Sequence, residues 1–363
     1  MRRSFPVVAA TAFLAAIPAL AGEGRIPIPF TNPPTTPVVI GSPGRYIMTR
    51  NLFPTGVGPI IDVAVPGDVD IDLNGMVLDQ AGVVDAVIRI SVPGPGTVVI
   101  RNGALRSGSV GIEAPLGNRT VVIENIQIND MTGAGISLSS VENYAIRGCV
   151  MQNTTPGILV TGANHHGIIE KNLIRRCGDG IVLFNPKAVS VLGNTLQEIF
   201  AAGFATGIQL DNGIGCLVAE NTIEECSGLG NTAIRLKKTT GSKLFDNVVS
   251  RSALHGIHLD LNSHDNLVWK NVVREAGSGG GHGIFIESDR NLVEGNLSNF
   301  NAGKGLVFVA GADNNVYRGN TCRGNNTLAV GCAGACGPGT DFCNAGAGNA
   351  SQLDNFLPLA PCN

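Results

Sequence analysis

The segment LHGIHLDLNSHDNLVWKN, residues 254–271, holds three of the chain's six histidines, His255, His258 and His264, and a fourth, His282, follows in GGGHGIFIES. Gly256-Ile257 opens a short apolar–polar alternation here, and Asn271 closes the next one. Both signals recur. Gly-Ile returns at Gly111, Gly135, Gly157, Gly180, Gly207, Gly256 and Gly283, with Ala233-Ile234 and Gly305-Leu306 as variants, a period of about 24 residues. Asparagine returns with the same period at Asn74, Asn102, Asn125, Asn172, Asn194, Asn221, Asn247, Asn271, Asn296 and Asn320, and Gly148 stands in for it once.

Set in register, the residue after the glycine is Ile112, Ile136, Ile158, Ile181, Ile208, Ile234, Ile257, Ile284 or Leu306, and an apolar residue follows two positions on. Three before the asparagine stand Val122, Ala145, Ile169, Val191, Val218, Leu244, Val268, Val293 and Tyr317. Alternation at period two puts one face in and one face out. Each repeat thus supplies about three short strands. An antiparallel sandwich also spaces its turns evenly, but gives no reason for the same residue type to return each time. A parallel β-helix does, because rungs ~4.8 Å apart set like on like. An asparagine column then suits the turns, since Asn tolerates a left-handed backbone and bonds to the next Asn along the stack. About 11–12 coils over residues 38–325 are expected.

The ends read differently. Residues 1–21 have the basic start, apolar run and Ala19-Leu20-Ala21 site of a cleaved export signal, which implies a secreted, periplasmic or cell-surface protein. Residues 22–37, rich in proline, read as an extended linker rather than packed structure. Residues 326–363 read as a cysteine-rich cap, CAGACGPGTDFC lacking the CxxC pairs of a zinc site. The net charge of −3 gives no reason to expect a nucleic-acid partner, and no later segment is apolar enough to span a membrane.

The body, including VVIGSPGRYIMTRNL, VDIDLNGMVLD and VVIRNGALRSG, resembles secreted bacterial right-handed parallel β-helix repeat proteins, the group containing carbohydrate-binding and sugar-hydrolase domains. That resemblance implies an all-β right-handed solenoid and leaves the activity open, because the group spans lyases, hydrolases, epimerases and metal-handling proteins.

With Ile257 and Leu259 inward, His258 and Asp260 point outward. Two outward columns follow, Gln209-Arg235-His258-Phe285 and Asp211-Lys237-Asp260-Glu287, while the rungs just before are blander. A polar stripe on consecutive coils suits an extended acidic polysaccharide. In an enzyme, Arg235 and Lys237 would meet uronate carboxylates or take the C5 proton, His258 would be a general acid, and the carboxylates would hold a cation such as Ca2+. Asp260 and Glu287, ~5 Å apart on adjacent rungs, also fit the spacing of retaining glycosidases. Gln209, Asp211 and Phe285 would be substrate contacts, with Phe184 and Trp269 as the other aromatics near the stripe. With Lys237 between Asp211 and Asp260, repulsion would leave Asp260 or Glu287 holding a proton or sharing a cation. The same pattern also describes an alternating-charge ladder on a solvated face.

Gly281-His282-Gly283 is similar to the GHG element of pectin-degrading hydrolases, but Leu254-His255 and Asn231-Thr232-Ala233 stand where that family carries its catalytic acids. A polygalacturonase is therefore disfavoured. His255, His258 and His282 also form a metal-binding candidate, against unliganded histidines in exposed turns. Zinc-hydrolase, P-loop and dinucleotide fingerprints are absent. The readings that remain are a polysaccharide-binding protein with lyase, epimerase or glycosidase chemistry, a non-enzymatic surface or structural rod, and a periplasmic metal-handling protein.

Five cysteines lie in the last 42 residues, from Cys322 to Cys362. Export permits disulfides, so non-reducing mass spectrometry of the exported protein is expected to find at least one among them. Five free thiols would contradict the cap.

Overall fold

The structure, a computed structural model, describes residues 24–28, 37–325 apart from 54–56, 81–84, 118, 164, 201–202, 204, 229 and 279, and then 342–345, 347 and 349–351. The export signal and most of the cysteine-rich cap, with Cys332, Cys336 and Cys362, lie outside the described residues. Among the described residues every strand pair is parallel, and no helix is long and apolar enough to cross a membrane.

One sheet of 13 strands runs from Val38–Ile40 to Phe342–Asn344 and carries every Gly-Ile element. The strands of the other two faces are joined into one sheet by Thr97–Arg106 and Thr120–Asn129, which are long enough to run through both. The result is the parallel β-solenoid the periodicity called for, right-handed as the resemblance implied and about 12 turns long. The isoleucines after the glycines stack in one column, Ile112 on Ile136, Ile158, Ile181, Ile208, Ile234, Ile257 and Ile284, each 0–1% exposed. Burying such a side chain contributes about 1.5–3 kcal/mol. The glycines are steric necessities: a Cβ on Gly256 would sit 2.7 Å from the Gly283 carbonyl oxygen of the next coil.

The asparagine column turns out to be two columns. Asn74, Asn102 and Asn125 occupy a left-handed position, with φ of 50°, 60° and 54°. From the next coils on, Gly148, Lys171, Gly193, Glu220, Asp246, Lys270, Gly295 and Gly319 take that position; after Gly148 comes the buried Cys149, and in the others a buried asparagine lies one residue later. There Asn172, Asn194, Asn221, Asn247, Asn271, Asn296 and Asn320 form a continuous ladder, each Nδ2 donating to the next Oδ1 at 2.9–3.0 Å. The same Oδ1 also accepts a backbone N–H from the preceding coil, as Asn247 does from Asn221 at 3.1 Å. Counting back from the asparagine therefore misplaces two rungs: Ile123 and Ile146, not Val122 and Ala145, stand in the inward column with Ile169 and Val191. A second ladder, Ser242, Asn266, Asn291 and Asn315, lines another turn.

The N-terminal stretch also differs from the expectation of an unpacked linker. Ile26–Pro27 pairs with Gly44–Ile47, and Ile28 is 1% exposed, so these residues extend the first coil. The thiols of Cys149, Cys177, Cys216 and Cys226 are free and buried, and burial pushes Cys149 and Cys226 up to about 12. They are core residues, unreactive at neutral pH.

Asn247→Ala is expected to destabilise the protein by about 3 kcal/mol, because it deprives the buried Asn221 N–H and Nδ2 of their acceptor. Asn125→Gly, at an exposed left-handed position, should change stability by less than ~1 kcal/mol. Urea denaturation of the two variants tests the division.

Candidate functional site

The 13-stranded sheet carries the candidate stripe on its outer face, in the expected register. Gln209 pairs with Arg235, Arg235 with His258, and His258 with Phe285, while Asp211 pairs with Lys237. Only one of the three side-chain pairs follows its column, Lys237 with Asp211; the other two are diagonal. Arg235 reaches diagonally to Asp260, at 2.5 Å, and His258 Nε2 donates diagonally to Glu287 Oε2, at 2.9 Å. Lys237 binds back to Asp211 at 3.0 Å. Long side chains meet diagonal neighbours across strands, which column order alone does not reveal.

This corrects the expected electrostatics. Lys237 bonds to Asp211 and leaves Asp260 to Arg235. Burial works to raise the Asp260 carboxyl, but the Arg235 hydrogen bond and charge outweigh it, and the group lies below its ordinary value. Asp260 therefore holds no proton near neutral pH. Asp211 is 5% exposed beneath Lys237, so it serves the lysine rather than meeting a substrate directly. Gln209 is half-buried and accepts a weak bond from the Thr206 hydroxyl at 3.4 Å.

The histidines are not in exposed turns. His255 and His258 are 7% and 8% exposed. The His255 ring stacks on Phe285 with centroids 4.3 Å apart and planes 2° from parallel, and His258 and His282 lie 5.0 and 5.6 Å from His255. His255 Nδ1 accepts the His282 N–H at 3.1 Å, and His282 Nδ1 accepts the Lys304 N–H at 3.0 Å. Asp179 does the same for the Thr206 N–H at 2.7 Å in the same pre-glycine column. That column was visible in the sequence as the residue before each Gly-Ile, but its hydrogen-bonding task was not.

Both Nδ1 atoms are thus occupied, and the three histidines do not converge on one metal. The group that does converge is His258, Asp260 and Glu287, whose ligand atoms all lie within 4.8 Å of one another. Trp269 is not near the stripe. It lies on another face, beside Phe245 at 6.1 Å and under Lys270 at 4.3 Å. His165 is likewise remote, bonded to Tyr144 and the Phe184 carbonyl. One polar group on the same sheet escaped the sequence reading: Arg89 binds Glu113 at 2.9 Å in line with Asp62, where the Gly-Ile period is only beginning.

A family model described as right-handed β-helix region matches residues 111–273 and 197–322, together more than half of the chain. The chain belongs to this right-handed β-helix family. No curated protein matches it. Its fold is similar to the A-module of the Azotobacter vinelandii mannuronan C-5 epimerase AlgE6, with a TM-score of 0.61 at 13% identity over 86% of this chain and 92% of that one. Weaker likenesses are to PfbA, a surface adhesin of Streptococcus pneumoniae (TM-score 0.48, 10% identity, 85% of each chain), and to a double mutant of the periplasmic alginate epimerase AlgG (0.44, 15%, 78% and 76%). At these identities the likeness is one of fold.

The aromatic cluster of this β-helix has a pH signature. Burial, aided by the nearby His258, His282 and Arg235, holds His255 down to about 2, and burial with Lys304 nearby holds His282 to about 4. Unfolding returns both to ~6.5, so the unfolded chain binds more protons below that pH. Stability is full above pH ~6.5 and is lost as the pH falls toward the folded values. The urea midpoint is expected to drop between pH 7 and 5, and to drop less in His282→Gln, which keeps a polar acceptor.

Proposed function

We propose that the outer face of the 13-stranded sheet, from Gln209 to Phe285, binds an extracellular acidic polysaccharide of the uronic-acid type. The observation that carries this reading is the concentration of Arg235, Lys237, His258, Asp260 and Glu287 on three consecutive rungs, after rungs whose outward residues are Ser137, Leu159 and Val182. Arg235 and Lys237 are 32% and 39% exposed, so each retains donors that a polymer carboxylate can reach. A chain lying along the solenoid axis would present successive sugars to successive rungs. The fold likeness to a mannuronan C-5 epimerase supports this substrate class. The export signal read in residues 1–21 supports a secreted, periplasmic or surface location.

In an enzymatic version, Arg235 and Lys237 neutralise the uronate carboxylate, and His258, oriented by Glu287, moves the C5 proton. Loss of the O4 substituent then gives a lyase, and reprotonation from the opposite face an epimerase. A second reading, a non-enzymatic structural rod, is favoured by one observation: both cations are already paired within the face.

A polysaccharide array should show a uronate-rich ligand for the unmodified protein, and the double variant Arg235→Ala, Lys237→Ala should abolish binding. The variant leaves the buried Asp211 without its lysine, so its stability should fall by more than the ~0–1 kcal/mol of an exposed pair, and binding is compared at a temperature where circular dichroism shows both proteins folded. No ligand, or equal binding by the variant, would end the proposal. Deuterium appearing at C5 of the polymer in D2O separates the enzyme from the binding protein.

A further inference from the structure

We propose that His258, Asp260 and Glu287 form a binding site for one divalent ion of the zinc and copper class. The group offers one imidazole nitrogen and two carboxylates, with ligand atoms all within 4.8 Å of one another. That mixed donor set suits zinc or copper, whereas calcium takes six to eight oxygens.

Three further observations point to a cation. First, the His258 side chain is 10% exposed, aims Nε2 into the group, and has no hydrogen-bond partner outside it among the described residues. Second, the ring is held by aromatic walls, His255 at 5.0 Å and Phe285 at 5.2 Å, which fix its direction. Third, the stripe is short of positive charge: Arg235 and Lys237 face Asp211, Asp260 and Glu287. Among the described residues Glu287 is the carboxylate of the stripe with no lysine or arginine in ion-pair contact; its partner is His258. A divalent ion that replaces the Nε2 proton removes this deficit.

Asp260 is already oriented for ligation. Its Oδ2 is held by Arg235 and its Oδ1 accepts the Leu261 N–H at 2.8 Å, so each oxygen keeps a lone pair and Arg235 becomes an outer support of the ligand. His255 and His282 supply walls rather than ligands, because their Nδ1 atoms are committed to the backbone. The inference does not rest on polysaccharide binding. With an ion bound, His258 is a ligand and cannot move a proton, so the two roles exclude each other.

Titration calorimetry of the metal-free, untagged protein with Zn2+ alone tests the site. One ion per chain is expected. Glu287→Gln and His258→Gln should each weaken binding by more than the ~10–100-fold that loss of a supporting partner costs. His166→Gln, on another face of the solenoid, should leave the affinity within a few-fold, and Ca2+ should not compete. Glu287 is 27% exposed, so its variant carries the test even where His258→Gln disturbs packing. Absence of Zn2+ uptake by the folded protein, uptake unchanged in Glu287→Gln, or equal affinity for Ca2+ would overturn the proposal. None of these measurements uses the polymer, so failure of the polysaccharide reading is seen separately.

Discussion

A buried asparagine amide has two donors and one strongly accepting oxygen, and inside a turn of this solenoid it must satisfy them without water. The ladder from Asn172 to Asn320 does so by making every coil the solvent of its neighbour: Oδ1 takes the preceding coil's backbone N–H and amide, and Nδ2 returns to a carbonyl, as Asn247 does to Val218 at 2.9 Å. A coil shifted by one residue would orphan all three groups, at about 1–3 kcal/mol each. The ladder therefore fixes register more strictly than the hydrophobic columns, which would tolerate exchange of one aliphatic residue for another. Because register is fixed, an outward side chain on one rung lies over the equivalent one on the next, and a functional surface can be written one rung at a time.

The surface written in this way is uneven. Over the middle coils the first outward column runs Ser137, Leu159, Val182, and then becomes Gln209, Arg235, His258, Phe285. Elsewhere on the molecule charges also pair one to one in exposed positions, such as Arg176 with Glu198 at 2.8 Å or Arg290 with Asp265 at 2.9 Å. Those pairs balance and contribute ~0–1 kcal/mol each. The candidate site differs because its pairs are partly buried, one member is an imidazole, and the carboxylates outnumber the fixed cations.

The solenoid was legible in the sequence because its signals are one-dimensional. A period, an inward isoleucine and a glycine without room for a Cβ all survive without knowledge of side-chain conformation. The asparagine column was only half legible. Asn125 and Asn172 look alike in sequence, yet one tolerates a positive φ of 54° and the other serves a buried ladder, and a single-residue offset separates them. At the site, column membership was readable and pairing was not. Arg235 could have met Asp211, Asp260 or neither, and the choice depends on side-chain length and the diagonal offset between strands. The placement of Trp269 failed for the same reason that the Phe184 column succeeded: nearness in sequence to the stripe says nothing about which of the three faces a residue occupies.

The pre-glycine histidines show how a backbone requirement shapes the chemistry beside it. A turn residue that must accept the next coil's N–H can be Asp179, which does so as an anion, or a histidine, which does so only when neutral. Choosing histidine twice in succession, with Phe285 laid flat on the first ring, replaces a polar turn with an uncharged aromatic wall. The wall lowers the local dielectric around His258 without adding charge. Within it, the same Glu287 interaction counts for more than it would in water, whether the partner on His258 is a proton or a metal ion. The structural solution to an unpaired N–H in the turn is thus also what shields the imidazole of the His258–Glu287 pair from solvent, and no other rung of the described sheet combines the two.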